Sequence, residues 1–132
     1  MIITKQRIAQ VNRFIDIKMG FIGAVFMGSL VFWVNVDHGA VPALIASLKQ
    51  FGYTLFFGGL FLKMAENLAT SMNTRLLAIL AGGTIPMLIT AALTLGLHSL
   101  KGTPEPFNST VPTMIFATIS FTTWSWFKTR RN

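Results

Sequence analysis

Long apolar runs separated by short polar clusters dominate the chain, and they are wider than the apolar stripe of a soluble amphipathic helix. The first run extends from about Met19 to Val36 and contains no charged residue. Gly20, Ala24 and Gly28 recur along it at every fourth position, a small-residue stripe that lets another backbone approach closely. Trp33 stands near its far end, where an indole suits a membrane–water interface. Asn35, Asp37, His38 and Gly39 read as a turn, after which Pro42 suits the first turn of a new helix.

The second run, about 43–64, is interrupted by Lys49 and Gln50. A charge at the centre of a bilayer costs about 2.5–3.5 kcal/mol, but near a helix end its stem can carry the head to water. The alternative is a surface helix over 41–50 followed by a span from Phe51 to about Ser71, which buries Glu66 instead. The polar segment Lys63 to Arg75 reads as a loop. The third run, about 76–97, holds Gly82, Gly83 and Pro86 near its middle, and proline there predicts a kink.

Next comes a proline-rich stretch, His98 to Pro112. Pro104 and Pro106 push Thr103 and Glu105 into extended conformations, so a stiff loop is expected. Ser109 or Thr110 can cap a fourth helix over about 111–127, with Pro112 in its first turn. Thr118, Thr122 and Ser125 share one face of that helix, Thr113 and Ser120 a neighbouring one. Trp124 and Trp126 then precede Lys128, Arg130 and Arg131, an aromatic belt followed by a basic anchor. At the other end, residues 1–18 carry Lys5, Arg7, Arg13 and Lys18, with Ile8, Val11 and Ile15 at helical spacing. That pattern predicts a short interfacial helix. A secretory signal peptide is the rival reading. The apolar run is longer than its usual core and no small-x-small cleavage site follows, so an uncleaved first span is expected.

The expected fold is therefore all-α: a polytopic integral membrane protein with about four transmembrane helices in a compact bundle. A basic interfacial segment (1–18) precedes the membrane domain (19–127), and a basic tail (128–132) follows it. Composition strengthens this picture, because 52% of the 132 residues are hydrophobic and only 11% are charged, against roughly 25% charged in soluble domains. The absence of cysteine excludes disulfides, thiolate nucleophiles and cysteine-based metal sites.

The net charge of +7 bears on partners and orientation. The bases gather at the ends of the apolar runs, where they meet anionic lipid headgroups, so membrane lipids and not nucleic acid are the expected partners. Four spans put Lys5, Arg7, Arg13, Lys18, Lys63, Arg75, Lys128, Arg130 and Arg131 on one side, leaving Lys49 and Lys101 on the other. The positive-inside rule then puts both termini in the cytoplasm of what reads as a bacterial inner membrane.

Candidate chemistry concentrates on the opposite, outer side. Lys49, Gln50, His98, Lys101, Thr103, Glu105 and Asn108, together with the N-terminal ends of two helices, suit an anion such as a lipid phosphate or a carboxylate. A solvated loop with ordinary caps is the bland alternative. Asp37, His38, His98 and Glu105 are weak metal candidates, since no spacing makes them converge, and no metal or cofactor is expected. His38 or His98 with Asp37 or Glu105 could act as a base pair, but no nucleophile or phosphate-loop motif accompanies them, and no catalytic residue is assigned. Glu66 is either an intramembrane relay acid or a structural partner of Lys63. The stripe of Gly20, Ala24 and Gly28, and the trio Gly82, Gly83 and Pro86, read as helix-packing positions, with a dimer face as the other use of the stripe. Asn108-Ser109-Thr110 matches a glycosylation sequon.

In size alone the chain is similar to small multidrug transporters and small lipid-sugar flippases, although its first span lacks the membrane-embedded acid of the multidrug class. Three functions are expected in descending order. The first is a non-catalytic accessory or assembly component, in a homo-oligomer or with a larger membrane protein partner. The second is a homodimeric transporter or lipid flippase, and the third a small membrane enzyme using the outer His and acid groups.

Overall fold

The computed structural model describes residues 7, 9–100 and 106–130, and among them all regular structure is helical. We number the helices α1 (Ile17–Asn35), α2 (Ala40–Tyr53), α3 (Gly59–Ser71), α4 (Arg75–Leu100) and α5 (Pro106–Thr129). A 3-10 turn, Val36–His38, follows α1, and a π-helical turn, Thr54–Gly58, joins α2 to α3. The chain divides into two compact units, Met1–Lys63 and Met64–Asn132.

In the first unit a short helical stretch over 9–12 ends in a turn at 13–14; residues 1–6 and 8 of the expected interfacial helix lie outside the described residues. Helix α1 begins at Ile17 because the Asp16 carboxylate accepts the Met19 N–H at 3.0 Å and satisfies one of the donors a helix start leaves open. Its buried positions are Gly20, Ala24 and Gly28. A Cβ at Gly20 would lie 2.7 Å from the Leu55 carbonyl oxygen and 3.0 Å from Gly59 Cα. Further along, the Ser47 hydroxyl donates to the Gly28 carbonyl at 2.7 Å, and Phe21 meets Phe51 edge-on with ring centroids 5.7 Å apart. Contacts that pair 20 with 55 and 59, and 28 with 47, make the two helices antiparallel. The reversal between them needs Gly39, whose φ of +107° is open to glycine and strained for other residues.

The polar segment after residue 63 is not the expected loop. Helix continues to Ser71, and only 72–74 turn before α4. Nothing from Lys63 to Ser71 breaks a helix, and Ala65 and Ala69, one turn apart, are both buried. The polar residues occupy the other face, where the Thr70 hydroxyl folds back onto the Glu66 carbonyl at 2.9 Å.

In the second unit α4 and α5 form an antiparallel pair. Gly82 lies against Ser125 and Gly83 against Thr122. Ala78, Gly82, Gly83 and Pro86 are the buried residues of α4, and the helix runs unbroken through Pro86. Two expectations need correction. His98 belongs to the last turn of α4, and α5 begins at Pro106. Ser109, Thr110 and Pro112 therefore lie inside α5. Thr110 is no cap, since its buried hydroxyl bonds the Pro106 carbonyl one turn back at 2.8 Å. Pro106 takes the N-terminal position that proline fits without losing a helix bond.

Candidate functional site

The outer-side residues fall on several elements. Asp37 and His38 are exposed on the 3-10 turn, and Lys49 is exposed on α2. Gln50 is half-buried; its side-chain amide donates to the Thr54 hydroxyl at 3.0 Å, within its own helix and at the start of the π turn. These four belong to the first unit. His98, half-buried near the end of α4, and Asn108, exposed in the first turn of α5, belong to the second. Lys101, Thr103 and Glu105 lie outside the described residues. Among the described residues no three His, Asp or Glu side chains gather as metal ligands would.

Lys49 is deeper in its helix than the sequence implied. Helix α2 begins at Ala40, so Lys49 follows the start by about 14 Å at 1.5 Å per residue. Its exposed position lets the stem extend away from the helix, as a snorkelling lysine does.

A second group of polar residues lies at the other end of the second unit. The Glu66 carboxylate meets Lys128 at 2.8 Å, bridging α3 and α5. The Lys128 ammonium also lies 4.7 Å from the Trp124 ring centroid. Two residues on, the Arg130 guanidinium carbon lies over the Trp126 ring, 4.1 Å from its centroid. An opposite charge reduces the cost of holding either member of the Glu66–Lys128 pair away from water, and the indole face adds attraction for the cation. That tryptophans and bases sit together at this end was legible in the sequence. The reach of Lys128 to Glu66 was not, because the two residues are far apart in sequence.

Between these ends lies a tight crossing. A Cβ at Gly82 would press on the Ser125 hydroxyl and come within 2.8 Å of the Ala65 carbonyl oxygen. Ser125 is fully buried, and among the described residues its hydroxyl has no hydrogen-bond partner, nor has the buried indole N–H of Trp124.

These observations define a class: an all-helical chain in which three helical stretches, Ile17–His38, Ala40–Ser71 and Arg75–Leu100, are long and apolar enough to cross a membrane. That makes it consistent with an integral membrane protein. No protein-family model matches the chain, and no similar curated protein or solved structure is found.

Proposed function

We propose that this chain is a four-span protein of a bacterial inner membrane with both termini in the cytoplasm, acting as a non-catalytic accessory or assembly component. The observation that carries this reading is outward-facing apolar surface. In the three apolar stretches only 17%, 6% and 22% of the most apolar window is buried. Val41, Leu44, Ile45, Leu48 and Phe56 all point outward from the stretch beginning at Ala40. Apolar surface this continuous needs lipid or a partner helix to cover it.

Helix α5 supplies the fourth span. It has 24 residues, about 36 Å of helix, enough for a hydrocarbon core of about 30 Å. Its hydroxyls make it less apolar, but Thr110 and Thr118 bond the carbonyls four residues back, so their donors are satisfied within the helix. The stretch Ala40–Ser71, with 32 residues, is longer than one crossing needs. Lys49 and Glu66 lie in its two halves, so each can sit near one edge of the bilayer, Lys49 by snorkelling and Glu66 by pairing with Lys128. That arrangement centres the span near the π turn. For an anion or lipid headgroup on the outer side, the described donors are Lys49 and Gln50 within the first unit and, separately, His98 and Asn108 within the second.

Membrane fractionation, a reporter at the carboxyl end and native mass spectrometry in mild detergent test the proposal together. The chain is expected to stay with membranes after carbonate washing, to place the reporter in the cytoplasm, and to retain lipid or a partner chain. A lone, lipid-free monomer would remove the accessory role. A reporter active outside the cytoplasm would remove the topology.

A further inference from the structure

Among the described residues, two cation–aromatic pairs at the end of α5 differ in one respect. Lys128 lies over Trp124 and is neutralised by Glu66. Arg130 lies over Trp126, and no carboxylate pairs with it among the described residues. Glu66 is the one acid of the second unit within those residues, and it is already engaged by Lys128. A cation held over an aromatic ring keeps its charge and N–H donors, so the exposed Arg130 can still meet an anion.

The same face of α5 continues away from Arg130 through Trp126, Thr123, Ile119 and Phe116, at steps of four, three, four and three residues. All are exposed. This is one helical stripe with a cation at its end, an amphipathic ring next to it and apolar side chains beyond. From Phe116 to Trp126 it extends about 15 Å, comparable to much of one leaflet of a bilayer about 30 Å thick in its core. A soluble anion has no use for the apolar part of such a stripe, whereas a phospholipid presents a phosphate and an acyl chain in that order.

We propose that Arg130, held by Trp126, binds the headgroup phosphate of an anionic phospholipid whose acyl chain lies along Thr123, Ile119 and Phe116. This rests on the membrane reading above and goes beyond it by naming a lipid class and a site on the side opposite the outer residues. Arginine suits the ligand because its planar fork donates two parallel hydrogen bonds to a phosphate.

The full chain in nanodiscs of equimolar phosphatidylglycerol and phosphatidylcholine, released into native mass spectrometry, tests the site. Retained lipid is expected to be enriched in phosphatidylglycerol, and Arg130→Ala to reduce that enrichment by more than the roughly fivefold that losing any one basic residue near an anionic surface accounts for. Trp126→Leu keeps the apolar contact but releases the guanidinium, and is expected to lose part of the enrichment. Arg75→Ala removes the same charge from the start of α4 and is expected to cost no more than that bulk effect of roughly fivefold. Equal losses with Arg75→Ala and Arg130→Ala would show bulk charge attraction and overturn the site, as would displacement of the lipid by inorganic phosphate. A chain that remains in the membrane without a lipid preference refutes this site alone; a chain that never enters the nanodisc refutes the membrane reading as well.

Discussion

In the first unit the closest approach between helices is backbone to backbone: Gly20 lies under the Leu55 carbonyl and the Gly59 Cα. In the second unit a side chain fills the corresponding gap, with the Ser125 hydroxyl pressed toward Gly82 and Thr122 against Gly83. Both rely on glycine to bring antiparallel helices together, as small residues do in membrane helix pairs. They differ in how polar atoms at the crossing are satisfied. In the first unit the Ser47 hydroxyl reaches across to the Gly28 carbonyl, and the Asp16 N–H reaches the Gly59 carbonyl at 3.0 Å. In the second, the buried Ser125 hydroxyl has no partner among the described residues. Small residues set the distance between two helices; whether the contact also gains hydrogen bonds depends on which polar side chain fills the gap.

The largest effect should come from filling the glycine gaps. Gly20→Val and Gly82→Val both force branched side chains against backbone oxygens, at Leu55 and Ala65 respectively. Each is expected to cost about 3 kcal/mol, the upper part of the range for overpacking. Loss of helicity during thermal unfolding in detergent is the readout. Gly52, which has nothing within 4 Å of an added Cβ, is the control, and Gly52→Ala should not destabilise. If Gly20→Val and Gly52→Ala behaved alike, close packing would not be what the glycine stripe supplies.

The contrast also shows what could be read from sequence. Gly20, Ala24 and Gly28 stood out because their spacing is local and matches a helix face, and the buried residues of α1 are these three. The all-helical character followed from the length of the apolar runs. Helix ends were harder to place. The polar segment from Lys63 to Arg75 reads as a loop, but polarity by itself does not break a helix, and Ala65 and Ala69 keep a buried face. Proline misled in the opposite sense at α5, where Pro106 opens the helix and Pro112 lies within it. The Glu66–Lys128 pair and the Ser125 gap at Gly82 join distant segments, and periodicity within one helix carries no information about which residue of another lies opposite. The outer-side set shared an expected side of the membrane, a weaker condition than a shared pocket.

A smaller effect should separate local from interhelical support in the first unit. Asp16→Ala removes the cap of α1 and should cost about 1 kcal/mol. The loss should appear first as faster amide exchange at Met19, whose N–H the carboxylate accepts. Asp16→Asn, which keeps an acceptor oxygen, should restore most of the protection. If Asp16→Asn were as damaging as Asp16→Ala, the acceptor role would be refuted.

The smallest effects bear most directly on the comparison, because they delete one hydroxyl from each unit. Ser47→Ala removes the bond to Gly28 O and should cost about 0.6 kcal/mol, the average for interhelical hydrogen bonds in membranes. Ser125→Ala removes a fully buried hydroxyl without a partner, so no bond is lost and the cost of keeping that group from water, about 1–3 kcal/mol, is relieved. The change also eases the contact of Ser125 with Gly82. Ser125→Ala should therefore be neutral or stabilising where Ser47→Ala is destabilising, measured as the difference in unfolding midpoint within one detergent. A destabilising Ser125→Ala would mean that the hydroxyl finds an acceptor in the membrane, and the two crossings would then be chemically alike.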